Sequence, residues 1–457
     1  FDSFGAPSVY SGRSYFLLYW VAISMSKTII IIGAGLAGLS AALQAAENGC
    51  NVKLVSSLPS ERAQSVMAEG GINAALNTKD ENDSPEEHFT DTIKAACGLA
   101  DPNAVWGMTQ AAPELVHWLL KLGVKFNMSG YDDVDLRNFG GQKKKRTAFA
   151  QSDTGKQIMT AMIDAVRRKE ASGMVERFSH HSFLTLRLCG NICCGCVIRD
   201  EYSQETVELP GDAVIVATGG MHGLFGNTTG SLSNTGEVTA ELFRLGVPLA
   251  NGEMIQYHPT TVKCGGKRML ISEAARGEGG RLFAMKDGKQ WYFMEEKYPE
   301  LGNLMPRDIT AREIWKVSHE SEVFLDMTEI SEEIISNKLS GLADDCMTYL
   351  HKDIRKEPVS VLPGIHYFMG GILVDEQHRT PIQNLYAAGE CCAQYHGANR
   401  LGGNSLLGAL YGGRVAAKSA CEQADVVDLS CATQIDFPPA SQISEIKQLN
   451  KVMQETM

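Results

Sequence analysis

Gly33, Gly35 and Gly38 stand in the run Gly-Ala-Gly-Leu-Ala-Gly, and glycines at that spacing serve phosphate chemistry by leaving room for it. The first permits a tight turn, the second lets the backbone approach a pyrophosphate, and the third lets a helix pack closely on a strand. A helix starting at such a turn offers free N–H groups and partial positive charge to the phosphates. The spacing alone is weak, and its neighbours decide its meaning. Lys27 to Ile32 is a run of mostly β-branched residues, predicted as a buried parallel strand. A helix is predicted from the turn to about Glu47, stopped by Gly49, and Asn51 to Ser56 is the next strand. The acid that ordinarily binds a ribose hydroxyl after that strand is missing, and Ser56 and Ser57 stand there instead. This weakens a nicotinamide reading and leaves FAD open.

A second group is Cys189, Cys193, Cys194 and Cys196. Leu184 to Val197 alternates like a strand pair with Gly190-Asn191 as its turn, and no second half-site with ligand spacing follows. No metal site is predicted. Twelve cysteines in 457 residues are too sparse for a disulfide framework and point to free thiols in a reducing cytoplasm. The net charge of -12 argues against nucleic-acid binding, which needs a basic face. Phe1 to Ser24 lacks a basic start and a cleavage site, its apolar run Tyr15 to Ile23 is too short to span a bilayer, and Met25 resembles a natural start. Residues 1–24 are therefore read as extraneous or disordered.

Pro85 to Lys169 is predicted mostly helical, with apolar stripes over Pro113 to Leu122 and Asp153 to Arg168. Ala213 to Ala217 is a further buried strand, ending in Thr218-Gly219-Gly220, and Leu385 to Ala388 another, ending in Gly389-Glu390. A glycine-rich loop from His396 to Ser405 leads into a helix near Leu406. Met221 to Arg355 changes pattern and reads as an inserted domain. Three strand-and-glycine units in order favour FAD, with the acid Glu390 reaching its sugar-like chain. The fold class is α/β: a Rossmann-like FAD-binding domain (25–222 and 355–430) with an inserted α+β capping domain (223–354). Residues 431–457 would begin a truncated C-terminal helical region. No internal repeat or transmembrane helix is predicted.

Longer motifs carry a resemblance. Gln64 to Ala75, His258-Pro259-Thr260, Arg276 to Gly280, Pro306-Arg307-Asp308, His366 to Gly371 and His396 to Ser405 resemble the succinate dehydrogenase and fumarate reductase flavoprotein family. The likeness covers nearly all of Ser26 to Met457. It implies FAD held by Gly33, Gly35, Leu36, Ala37, Gly38, Ser56, Ser65, Ala68, Glu69, Gly70, Gly71, Ala217, Thr218, Gly219, Glu237, Glu390, Arg400, Gly403, Ser405 and Leu406. Membrane-bound members bond FAD covalently through a histidine of the flavin loop. Gln64 occupies that position here, so the resemblance implies non-covalent FAD and a tilt toward fumarate reduction.

The same resemblance implies a substrate site. His366 and Arg400 would grip one carboxylate of fumarate, and His258 with Ser272 the other. Hydride would come from flavin N5. Arg307 would deliver the proton, refilled through Glu273 and Arg276. An arginine acid sits awkwardly with a reference pKa of roughly 13.8 unless a carboxylate refills it. Spacing three apart puts Glu273 and Arg276 on one face of a helix. Implied partners are fumarate or succinate, and an iron–sulfur subunit with a membrane anchor or another electron donor. The implied place is the cytoplasm, or the inner face of the cytoplasmic membrane through those subunits. L-aspartate oxidase is the nearest rival, but Leu401-Gly402-Gly403 follows Arg400 where that family has Met-Ala-Ser. Reduction of another unsaturated acid is a further alternative, and a flavin-carrying subunit without turnover is opposed by the intact residue set.

Overall fold

The structure, a computed structural model, describes residues 26–425. The segments 1–24 and 431–457 singled out above lie outside the described residues.

Five parallel strands lie in the order Leu385–Ala387, Ala213–Val216, Thr28–Ile32, Asn51–Ser56, Val175–Ser179. Both faces are covered, so Leu385–Ala387, Ala213–Val216 and Thr28–Ile32 are near-continuous apolar runs rather than alternating, while Asn51–Ser56 and Val175–Ser179 carry polar residues such as Lys53 and Glu176. Ile29 and Ile31 face a helical layer containing Leu36–Glu47, Pro102–Leu122, Thr154–Ala171 and Asn404–Gln423. Ile30 and Ile32 face an antiparallel sheet of His181–Cys189, Ile192–Asp200 and Thr206–Pro210. That sheet contains the cysteine cluster, and Gly190 turns its hairpin with φ 59° as expected. Cys193 and Cys196 pack in the apolar core between the two sheets, and burial pushes the Cys193 thiol up to about 12.

A second apolar core runs from Ile271 to Val361 and takes in Phe139. Beside it, Ile255–Cys264 pairs with Lys267–Leu270 on one edge and Leu362–Phe368 on the other, all antiparallel. The chain therefore enters and leaves this region on neighbouring strands.

The helices Pro85–Ala95, Pro102–Leu122 and Thr154–Ala171 make up most of Pro85 to Lys169, as expected, but 123–153 between the last two holds no helix, only loop with two short strands, Leu136–Arg137 and Thr147–Ala148. Gly123 ends the long helix at φ 100°, and Gly140 and Gly141 keep the following loop irregular. The final helix also begins at Asn404, slightly before the expected Leu406.

The first and last helices cross at small residues. Ser40 donates its hydroxyl hydrogen bond to the Leu410 carbonyl at 2.7 Å. A Cβ on Gly413 would fall 2.2 Å from the Ala37 carbonyl oxygen and 3.0 Å from Ser40 Cβ. Gly413→Ala should therefore lower unfolding free energy by about 1–3 kcal/mol through overpacking. Gly252→Ala, with nothing within 4 Å of the new methyl group, should stay within about 0.5 kcal/mol of wild type. Urea titration of both variants checks the contrast, and equal midpoints would contradict the close crossing.

Candidate functional site

A cleft of about 580 Å³ opens where Ile32, Ser56 and Ala217 end or follow their strands. This is where parallel sheets bind ligands. At its nucleotide end the three glycines have different jobs. Gly33 turns at φ 111°, and a Cβ there would sit 2.3 Å from the Ala217 carbonyl. A Cβ on Gly38 would sit 1.8 Å from the Gly33 carbonyl, so Gly38 packs the turn and does not line the cleft. A Cβ on Gly35 meets no protein atom nearer than 3.8 Å, so the space beside it is reserved for something else. Leu36, first in its helix, has its N–H on Ser65 Oγ at 3.3 Å.

The Ser56 hydroxyl is buried without a partner. Such an orphan calls for a ligand atom, and a ribose hydroxyl fits it. Ala37, Ser65, Ala68, Glu69, Gly70 and Gly71 line one wall, and Ala217, Thr218, Gly219 and Glu237 another. Gly403, Ser405 and Leu406, around the start of the last helix, complete the cleft with Glu390 and Arg400. Glu390 is held by the Phe368 N–H at 3.0 Å and lies 3.1 Å from His222 Nε2. Burial pushes the Glu69 carboxyl up to about 8, with the Asp345 charge adding to it. Open backbone, one orphan hydroxyl and a helix N-terminus fit the pyrophosphate and ribose of FAD. Gln64 also lines the cleft.

The other end is built from charge. Ser272 caps the short helix Glu273–Gly277, its Oγ accepting from the Ala274 N–H at 3.4 Å. Glu273 and Arg276 therefore lie one turn apart, 3.3 Å between Oε1 and Nη2. Arg307, first residue of the helix Arg307–Val317, donates to Glu273 Oε2 from Nη2 at 2.7 Å and from Nε at 2.9 Å. The Gly140 N–H donates to Glu273 Oε1 at 3.0 Å. Arg307 lines the cleft and Arg276 lies behind it, so the three form a line leading inward from the surface of the cavity. His258 and His366 stand with ring centroids 5.0 Å apart, and Thr229 Oγ1 lies 2.7 Å from His366 Nδ1. Arg400 stacks over the Tyr367 ring at 4.4 Å, and its Nε is buried without a partner.

Burial works against every charge here. It opposes ionisation of Glu273, but Arg307 and Arg276 outweigh it and hold that carboxyl below its ordinary value. Burial, with Arg307 nearby, brings Arg400 down to about 9. Burial holds His258 and His366 well below the usual histidine range; Arg307 reinforces this at His258, and the His258 and Arg307 charges do so at His366. Both imidazoles are thus neutral at pH 7.

Two participants lie outside the sequence expectations. Gln256 accepts from Arg307 Nη1 at 3.1 Å and donates to Asn399 Oδ1 at 2.8 Å and the Arg400 carbonyl at 2.7 Å. Its position two before His258 on one strand was the available signal, since alternate residues share a face. Gly140 gave no signal, because its role depends on a fold contact with Glu273.

Fold and cleft together define an FAD-binding oxidoreductase. The family model described as FAD binding domain matches residues 28–406. The chain is 44% identical to the succinate dehydrogenase flavoprotein subunit of Bacillus subtilis over 413 residues, covering 88% of this chain and 70% of that one. It is 34% identical to L-aspartate oxidase of Streptomyces coelicolor, covering 86% and 68%. A solved structure of E. coli quinol fumarate reductase, in mutated form, superposes with a TM-score of 0.83 at 29% identity, covering 93% of this chain and 74% of that one. The chain belongs to the succinate dehydrogenase and fumarate reductase flavoprotein family, and is an FAD-dependent oxidoreductase.

The reserved space at Gly35 gives a direct check. Gly35→Val puts a branched side chain where the pyrophosphate needs the backbone. Flavin retained after gel filtration, read by visible absorbance, should fall at least about tenfold, or about 1.4 kcal/mol, while the far-ultraviolet spectrum of the protein is unchanged. Full flavin content in the variant would contradict the cradle.

Proposed function

We propose that this protein reduces fumarate to succinate, with succinate oxidation as the reverse reaction. The observation that carries the reading is the buried line Arg307–Glu273–Arg276 beside His258, His366 and Arg400. Three guanidiniums and one carboxylate leave two positive charges, which match a dicarboxylate dianion. No carboxylate hydrogen-bonds His258, His366 or Arg400 among the described residues, so an ammonium group has no partner at that end. This favours fumarate over aspartate.

Bound FAD supplies or accepts the hydride. The side chains do the rest. His366, with Nδ1 accepting from Thr229, presents its Nε2–H to one carboxylate together with Arg400. His258 and Ser272 take the other. These fixed dipoles polarise the alkene as charge develops on it. Arg307 donates the proton to the carbon that hydride does not reach. Glu273, bound to it through two N–H groups, receives a proton from Arg276, with solvent as the ultimate source, passes it to Arg307 and is left ionised again. Gln256 holds Arg307 and the Arg400 backbone in one register.

Gln64 at the linkage position supports non-covalent FAD and the reductive direction. The Bacillus subtilis relative is named as a flavoprotein subunit, which supports electron delivery by a separate subunit, here an iron–sulfur subunit with a membrane anchor beyond it. No helix of the described residues is long and apolar enough to cross a membrane.

The activity test is oxidation of reduced viologen on addition of fumarate; turnover with aspartate and none with fumarate would end this reading. Arg307→Lys should cut fumarate reduction by about 10²- to 10⁴-fold, the range for a lost general acid, with flavin content preserved. Retained activity would refute its role as the acid. Acid precipitation should leave the yellow colour in the supernatant, and colour in the pellet would mean a covalent bond.

A further inference from the structure

Arg268 is a buried cation that this reading does not use. It belongs to the strand Lys267–Leu270, lines the cleft and is 8% exposed. No carboxylate pairs with it among the described residues. Its Nε donates to Thr261 Oγ1 at 2.5 Å, and the Thr261 hydroxyl donates onward to the Leu362 carbonyl at 2.7 Å. One side of the guanidinium is thereby fixed, and its two terminal nitrogens are left for the cleft.

Its place is set by a missing side chain. A Cβ on Gly364 would fall 2.5 Å from Arg268 Cδ and 2.9 Å from its Nε. Arg268 therefore crosses the strand Leu362–Phe368 in the space that a side chain at 364 would fill. Two residues further along that strand is His366, passed over where the pairing shifts from Ile365 to Tyr367. The Arg268 N–H also donates to the Thr228 carbonyl at 2.9 Å, next to Thr229, which contacts His366.

We propose that Arg268 is a specificity-determining residue that draws doubly charged substrates toward His366 and favours dicarboxylates over monocarboxylates. This rests on the dicarboxylate reading of the cleft. A buried cation without a partner anion is unfavourable, and burial lowers its pKa. An arriving carboxylate relieves that. In a cleft with low-dielectric walls such a charge also raises the local concentration of oppositely charged ligands, an effect that grows with ligand charge and falls with salt. It acts on capture, and so on kcat/KM more than on kcat.

The test is Arg268→Gln in the flavin-loaded protein, with fumarate and its monomethyl ester as acceptors of electrons from reduced viologen, at low and high salt. The KM for fumarate should rise about tenfold, kcat should fall far less than kcat/KM, and the monoester should be affected less than fumarate. The dependence of kcat/KM on salt should become shallower, and Arg268→Lys should restore most of it. A brace with a purely structural role would change stability without moving the salt dependence. An unchanged KM, equal losses for both acceptors, an unchanged salt dependence or loss of flavin would each overturn the proposal. Where wild-type protein fails to reduce fumarate, the dicarboxylate reading falls and takes this one with it. Where it succeeds and the variant behaves as wild type, this inference alone fails.

Discussion

The carboxylate of Glu273 lies away from water between two guanidiniums, and much of the cleft is arranged around that fact. An ionised carboxylate in a dry wall is tolerable only with close partners. Removing one partner would leave an uncompensated charge, so Arg276 and Arg307 are held from different elements. Ser272 caps the short helix that supplies Glu273 and Arg276, and Arg307 opens a second helix. The loop through Gly140 closes the remaining side. A Cβ there would lie 2.7 Å from Glu273 Oε1 and 2.9 Å from the Met305 carbonyl, so only glycine permits this approach.

The two ends of the cleft use opposite materials. One is backbone, with open glycines and a helix start. The other is side-chain charge that burial has made unfavourable without a ligand. A polar network ties them together. Gln142 donates to Asn73 Oδ1 and to the Gly402 carbonyl, and Asn73 donates to Gly402 and Asn404. The flavin loop after Gly71 and the loop carrying Arg400 are thus fastened to one another, and their relative position does not depend on the bound molecule.

What could be read from the sequence follows from distance along the chain. The turn Gly33 to Gly38 announces itself because its strand, glycines and helix are contiguous, and each glycine has the geometry its position implied. The cysteine hairpin was readable for the same reason. Gln256 was not, since its partners Arg307 and Arg400 lie 51 and 144 residues away. The apolar stripes of Pro113 to Leu122 and Asp153 to Arg168 marked their helices, but nothing in the pattern marked the extent of the loop 123–153 between them. His258, Arg307, His366 and Arg400 were found through motifs, but nothing in those motifs showed that Arg276 lies behind the wall instead of in it.

The order of strands in the central sheet has a consequence for how the protein is made. Ala213–Val216 lies between Thr28–Ile32 and Leu385–Ala387. During synthesis its outer edge stays unpaired until the strand 169 residues later emerges, roughly ten to thirty seconds at typical elongation rates. The helix that closes the nucleotide end follows later still. Flavin capture is therefore a late event on an almost finished chain. Until then that strand presents an unpaired edge, open to pairing with another chain.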